Sequence, residues 1–307
     1  MVITSAPGKL ILLGEHAVVF GMPAIAVAID LRLRCIATPS IEFTINGKLM
    51  DTAYRSYINA AMDKVWMGDP ISIQTFSSLP SGSGLGSSAA VTTATLAALM
   101  QLRSGFDQPT VARLGFEVES EVQGRASPID TSVSTHGHGI FVNRKKGKDH
   151  LWTIRRDERL WHIHHLGVPE LTIVVGYTGI HAPTGPLVDM VKMRVEEHTW
   201  AREAIERIGE ISLEGMKALK RNDPETLGEL MTEDHSLLSK LGVSSPELDA
   251  LVEAALPHSY GAKLTGAGGG GSMIALTAEA EKVCKAIEEK GGEPIVVHTG
   301  VPGVRLE

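Results

Sequence analysis

Pro80-Ser81-Gly82-Ser83-Gly84-Leu85-Gly86-Ser87-Ser88-Ala89-Ala90 lies between an apolar, β-branched run, Ile71-Ser72-Ile73-Gln74-Thr75-Phe76, and an alanine-rich segment that continues to Leu102. The order predicted is strand, loop, helix. Glycines at three alternate positions let a backbone approach an anion closely. A helix opening near Ser87 would aim its free N–H groups and the positive end of its dipole at that anion. The serine hydroxyls add donors for phosphate or ligands for a cation. The plain alternative is a turn that merely feeds a buried helix, and the paired serines weaken it. No lysine follows the last glycine, so this is not a Walker loop, and the G-x-G-x-G spacing departs from the dinucleotide fingerprint G-x-G-x-x-G. The candidate phosphate-binding residues are Pro80, Gly82, Ser83, Gly84, Leu85, Gly86, Ser87, Ser88 and Ala89.

Three further segments carry groups suited to chemistry. The first is Ser5-Ala6-Pro7-Gly8-Lys9, followed by Gly14-Glu15-His16-Ala17-Val18-Val19-Phe20-Gly21. It sets a lysine, a carboxylate and a histidine among turns around an apolar strand, although such residues taken singly usually face solvent. The second runs from Glu119 to Thr135. It offers helix carboxylates and then Asp130, placed by Gly124 and Pro128 in a turn or at the start of the next element. Phosphoryl transfer needs one acidic group for a divalent cation and another near the acceptor hydroxyl. Helical periodicity does not separate Glu119 from Glu117 or Glu121. The third is Lys263-Leu264-Thr265-Gly266-Ala267-Gly268-Gly269-Gly270-Gly271-Ser272. Four adjacent glycines are entropically costly to order, a cost that close approach to a ligand or another backbone would offset.

Around these segments, residues 1–45 contain β-rich runs (Lys9 to Leu13, Ala24 to Ile29, Arg32 to Thr38, Ile41 to Ile45), and helices are expected from about Thr52 to Trp66 and over Thr110 to Gln123. From about Pro169 come a strand at Leu171 to Val175 and helices from Pro186, Pro224 and Pro246. Strands at Met273 to Leu276 and Pro294 to His298, with a helix at Ala278 to Glu289 between them, close the chain. His162-Ile163-His164-His165 reads as a surface strand without partnering ligands, and Arg144-Lys145-Lys146-Gly147-Lys148 as the solvated turn of a hairpin.

The chain's 307 residues exceed the roughly 100 to 200 of a single typical domain, which suggests two lobes. With 43% hydrophobic against 21% charged residues the chain can fill a core, and disorder is excluded. A net charge of -7 with scattered Lys and Arg argues against nucleic-acid and anionic-membrane partners. It leaves anionic nucleotides open, because backbone amides and a bound cation neutralise phosphate locally. The two cysteines, Cys35 and Cys284, lack CxxC spacing, which speaks against a zinc site and for a reducing cytoplasm. Neither a leader pattern at Met1 to Lys9 nor a membrane span is expected, since the most apolar segment, Ala89 to Met100, falls short of the ~20 residues needed.

Taken in order, the four segments resemble the GHMP small-molecule kinases from Ser5 to Gly300-Val301-Pro302-Gly303-Val304. The run Gly14-Glu15-His16-Ala17-Val18-Val19-Phe20-Gly21 is similar to the branch of that family acting on mevalonate, and Arg125-Ala126-Ser127-Pro128-Ile129-Asp130 to its archaeal members. The resemblance implies an α+β fold of two lobes. Residues 1–165 would be an ATP-binding lobe like domain 2 of ribosomal protein S5, and residues 166–307 a ferredoxin-like α/β lobe. It implies ATP as co-substrate and Mg²⁺ held by Ser88 and Glu119. Asp130 would face the acceptor hydroxyl with Lys9 beside it, and Glu15, His16, Thr184 and Gly268 would lie near the substrate. The activity implied is phosphorylation of the mevalonate 5-hydroxyl by a cytoplasmic homodimer. The rivals are another acceptor, such as phosphomevalonate or homoserine, and a noncatalytic nucleotide-binding protein.

Overall fold

A computed structural model describes residues 1–51, 56–80, 82–124, 126–181 and 183–307. Ser81, Arg125, Ala182 and the expected helix start at Thr52 lie outside the described residues. The first half runs β1 (Val2–Leu13), β2 (Ala24–Pro39), β3 (Thr44–Ile45), β4 (Lys48–Leu49), α1 (Tyr57–Val65), β5 (Ile71–Ser77), α2 (Ser87–Arg103), α3 (Gln108–Gln123), α4 (Pro128–His136), β6 (Gly139–Asn143), β7 (His150–Arg156) and β8 (Arg159–Leu166). The second half runs β9 (Thr172–Tyr177), α5 (Thr184–Glu197), α6 (Thr199–Arg221), α7 (Pro224–Lys240), α8 (Pro246–Ala255), β10 (Gly261–Thr265), β11 (Ser272–Leu276), α9 (Ala280–Glu289), β12 (Glu293–His298) and β13 (Arg305–Leu306).

Among the described residues there are two sheets. The larger has the order β4-β3-β5-β2-β6-β8-β7, with β1 antiparallel to β2 and β13 returning to pair with β1. The smaller has the order β10-β11-β9-β12, all antiparallel. Ala24 to Ile29 of β2 is buried at every position, as a strand covered on both faces requires. One core cluster joins Leu10, Leu12, Ile25 and Val27 of these strands to Leu96 and Leu99 of α2 and also to Ile211, Leu219, Leu227 and Met231 of α6 and α7, so the hydrophobic interior crosses from one half to the other.

Several boundaries differ from the reading by pattern. β2 continues through Asp30 and Leu31, where two strands were expected. Asp30 and Leu31 form a bulge in β2, left without partners on β1 where the register shifts between Pro7 and Gly8. The helix expected from Pro186 starts at Thr184 and ends at Glu197, and after the extended His198 α6 begins at Thr199. Arg144 to Lys148 is not a hairpin turn: it joins β6 to β7, and β8 lies between those two strands in the sheet. His162 lies on β8 as expected, but His164 is buried. Its Nδ1–H donates to the Phe141 carbonyl at 3.2 Å, and its Nε2 accepts from the Gly147 amide at 3.0 Å. No cluster of three metal-ligating side chains occurs among the described residues.

Two glycines decide how closely α7 lies on β10. A Cβ on Gly228 would stand 2.2 Å from the Tyr260 carbonyl, and one on Gly261 would stand 1.8 Å from the Gly228 oxygen. The two backbones therefore touch, which a side chain on either would prevent.

Candidate active site

Gly82, Gly84 and Gly86 all take the left-handed conformation, at φ 76°, 77° and 80°. The reasons for glycine differ. A Cβ on Gly84 would meet open space, whereas one on Gly86 would stand 2.6 Å from Cγ of Lys9. The loop is thus open at its tip, while its base is closed onto the lysine. Its shape is held by the Lys9 amide donating to the Leu85 carbonyl at 2.9 Å, by Ser83 Oγ donating to Pro80 O at 2.9 Å, and by Ser272 Oγ donating to Ser83 O at 2.7 Å. The last bond ties the loop to the second glycine run.

Side-chain caps close α1, α3, α4, α7 and α8, from Ser56, Asp107, Ser127, Asp223 and Ser245 respectively. The N-cap of α2 is Gly86, which has no side chain to offer. Its first N–H groups, from Ser87 to Ala89, have no intrahelical acceptor, and Ala90 is the first to find one, on Gly86 O. α5, α6 and α9 also lack a side-chain cap, but α2 alone of these follows three left-handed glycines, a geometry suited to an anion.

Two acidic side chains reach the same place from α3 and α4. Gly115 lets these helices pack, since a Cβ there would meet Thr131 at 3.1 Å. Glu119, 2% exposed, accepts a hydrogen bond from Ser88 Oγ at 3.0 Å. Burial, and secondly the nearby Asp130, push its carboxyl up to about 8, against the pull of the Ser88 hydroxyl and Lys9. Glu117 and Glu121 share the outer face instead, 3.8 and 3.4 Å from Lys64 Nζ. The structure thereby separates three glutamates that periodicity alone could not.

Asp130 lies in the first turn of α4, whose later residue Ser134 donates to the Pro7 carbonyl at 2.8 Å and so pins the helix beside Lys9. Lys9 Nζ stands 3.4 Å from Asp130 Oδ1. That oxygen is buried and accepts no hydrogen bond from the described residues, while the Asp130 side chain as a whole keeps 27% of its surface. An ion-paired carboxylate whose buried oxygen keeps a vacant lone pair, on a side chain that is otherwise open to solvent, suits the receipt of a hydroxyl proton.

The turn after β1 carries Glu15 and His16, both buried. His16 has φ 59°, unusual for a residue with a side chain. Its Nε2 lies 2.9 Å from the Ala267 carbonyl, which can only accept, so Nε2 bears the proton and Nδ1 is left as an acceptor. Burial lowers its pKa and keeps the ring neutral. Glu15 is ion-paired to Lys263 Nζ, and Asp234 Oδ2 stands 3.4 Å from the same nitrogen. Sequence reading missed this function for Lys263 and missed Asp234 entirely; nothing in local pattern joins residues 15, 234 and 263.

Thr184 is exposed at the start of α5. The segment before it lies against the phosphate loop, with Tyr177 Oη and His181 Nδ1 within 4 Å of the place a Cβ on Gly82 would occupy. Gly268 is committed to packing on its Cβ side, where Val243 O would stand 1.9 Å away, so only its backbone can meet a ligand. Likewise a Cβ on Gly270 would meet Ile180 O at 2.7 Å. Much of the glycine run therefore makes close approaches to protein backbone.

Both halves of the chain match kinase family models: residues 51–138 the GHMP kinases N terminal domain, and residues 216–293 the GHMP kinases C terminal. Fold and site together define a GHMP kinase. The mevalonate kinase of Pyrococcus furiosus is 37% identical, over 100% of this chain and 98% of its own, and that of Archaeoglobus fulgidus 33% identical, over 99% of each. The chain belongs to the mevalonate kinase family. Among solved structures, the Methanococcus jannaschii mevalonate kinase superposes with a TM-score of 0.81 at 27% identity, covering 97% of this chain and 98% of the other. The L. major mevalonate kinase in complex with R-mevalonate gives 0.80 at 25% identity, over 96% and 94%.

Proposed function

We propose that this protein transfers the γ-phosphoryl group of ATP to the 5-hydroxyl of mevalonate, yielding 5-phosphomevalonate and ADP. The observation that carries the reading is the Asp130 oxygen, 3.4 Å from Lys9 and free of hydrogen bonds, beside the uncapped start of α2. The family relationship supplies the acceptor.

In this reading the amides of Gly82 to Ala89 hold the phosphate tail. Asp130 orients the 5-hydroxyl and accepts its proton, while Lys9 stabilises the alkoxide character that develops on the oxygen. The bond from that oxygen to the γ-phosphorus forms, the bridge to the β-phosphate breaks, and ADP departs with the electron pair. His16, with Nδ1 free to accept, and the backbone of Gly268 lie toward the acceptor, with Glu15 anchoring the histidine and Thr184 at the mouth.

Ser88 and Glu119 fit a Mg²⁺ ion: a hydroxyl and a buried carboxyl that favours its protonated form in the absence of a cation form an oxygen donor set, and Mg²⁺ commonly uses one or two protein oxygens beside those of phosphate. When bound it would offset charge on the phosphate oxygens. Residues 1–165 form the nucleotide lobe and residues 166–307 the second lobe, and the enzyme works as a homodimer in the cytoplasm without nucleic-acid or membrane partners. No helix among the described residues is long and apolar enough to cross a membrane.

The test is a coupled ADP-release assay of the purified chain with ATP, Mg²⁺ and, separately, mevalonate, phosphomevalonate and homoserine. Turnover is expected with mevalonate; a preference for either of the others reassigns the acceptor, and no turnover with any removes the reading.

A further inference from the structure

Lys263 is the largest fully buried side chain among the described residues, and the two carboxyls around it are buried as well. Its ammonium meets Glu15 on one side, Asp234 on the other, and donates to the Leu264 carbonyl at 2.8 Å. Glu15 Oε2 and Asp234 Oδ1 accept no hydrogen bond from the described residues. Burying three ionisable groups is costly, and a well-packed apolar trio of the same volume would often be as stable. The arrangement therefore calls for a reason other than stability.

That reason lies one residue from Glu15. His16 sits at φ 59° and ψ -44°, outside the ordinary left-handed well, and such a conformation persists only where its surroundings over-determine it. Two anchors do so: the Glu15 carboxylate fixed on Lys263, and the His16 ring fixed on Ala267 O. Both lead back to one stretch, because Lys263 lies in the middle of β10, which ends at Thr265 just before the turn that carries Ala267. Asp234 holds Lys263 from the side of α7, and the neighbouring His235 accepts from the Leu264 amide at 3.3 Å, so the helix grips the same strand twice.

We infer that Lys263 and Asp234 are positioning residues for the acceptor: through Glu15 they hold His16 in its strained conformation and so set the affinity for the phosphoryl acceptor, with little influence on ATP. The inference rests on the reading that His16 faces the acceptor. No hydrogen bond or ion pair among the described residues joins the nucleotide elements, Gly82 to Ala89 and Glu119, to the triad, which is why the two substrates should respond differently.

The experiment is steady-state kinetics of the full chain at about pH 9, where the Asp234 carboxyl is ionised, with mevalonate and ATP varied in turn, for Lys263→Arg and Asp234→Asn, each alone and combined with His16→Ala. We expect each single change to raise the mevalonate KM by about fivefold or more while the ATP KM stays within about twofold. In the His16→Ala background the same changes should add little, because coupled residues lose their separate effects. Equal rises in both KM values, an unchanged mevalonate KM, or full additivity with His16→Ala would each overturn the inference. If Lys263→Arg does not fold, Asp234→Asn, which keeps the volume of the buried group, decides alone. Inactivity of the unmodified protein toward mevalonate would instead strike at the assigned reaction.

Discussion

Lys9 on β1 and Lys263 on β10 each face carboxyl groups, and they make opposite use of the same ingredients. Lys9 is 6% exposed beside an Asp130 that keeps 27% of its surface, while Lys263, Glu15 and Asp234 retain 0%, 1% and 0%. A lysine–carboxylate pair with an opening can admit a substrate and exchange a proton with it. A sealed pair can only hold its neighbours in place. Access, more than composition, separates chemistry from scaffolding here.

The sharpest way to test that division is Asp130→Asn. Turnover should fall by about 10²- to 10⁴-fold, the range for a lost general base, with ATP affinity measured by equilibrium titration nearly unchanged. Near-normal turnover would erase the distinction between the two centres. Next comes Lys263→Met, which strands Glu15 as a buried, unpaired charge and should cost roughly 3 to 5 kcal/mol in urea denaturation. Lys9→Met should cost clearly less, because Asp130 can recover water, while abolishing most activity. Comparable losses of stability would show that exposure does not separate the sites.

A smaller effect is expected in the pH dependence of stability. Glu119 and Asp234 are both pushed up to about 8, chiefly by burial, with Asp130 adding to the first and Glu15 adding to the second against the pull of Lys263. Carboxyls that favour the protonated form in the fold contribute fully below their ordinary values near 4 and lose that contribution as pH climbs toward 8. Ligand-free protein should therefore weaken between pH 5 and 8 with a slope of up to about 1.4 kcal/mol per pH unit for each group. Glu119→Gln should remove its share and leave that of Asp234, as followed by thermal melts across pH. A slope unchanged by the substitution would mean that Glu119 is ionised in the free protein. Smallest is Ser88→Ala, worth about 1 kcal/mol through the lost bond to Glu119, and read as a raised KM for ATP at limiting Mg²⁺.

The first centre was largely legible in the sequence and the second was not, for a physical reason. The phosphate loop announces itself because glycine spacing, serines and the strand-to-helix switch are all local, and the structure supplies the matching φ values at Gly82, Gly84 and Gly86. Asp130 followed from Gly124 and Pro128, which ended one helix and began another. Glu119 needed the packing partner of α3 to be known, since facing α2 and α4 rather than Lys64 distinguishes it from Glu117 and Glu121. The triad has no sequence signature, as its members come from a turn, a helix and a strand up to 248 residues apart. Where pattern went wrong, at β2 and at the junction of α5 with α6, the error lay in the placing of breaks: Asp30 and Leu31 looked like a turn but are carried by the sheet, and the helical pattern gave no sign of the interruption at His198.

If Asp234 positions the acceptor as inferred, the contact between Gly228 and Gly261 gives the smallest residues of the second half a part in substrate choice. Because two bare backbones lie against each other there, α7 comes near enough to β10 for a short aspartate to reach an ammonium across the gap. A single methyl group added at either glycine would lever the helix outward and lengthen that reach, so a change at a position with no functional group of its own would surface as poorer recognition of a molecule it never touches.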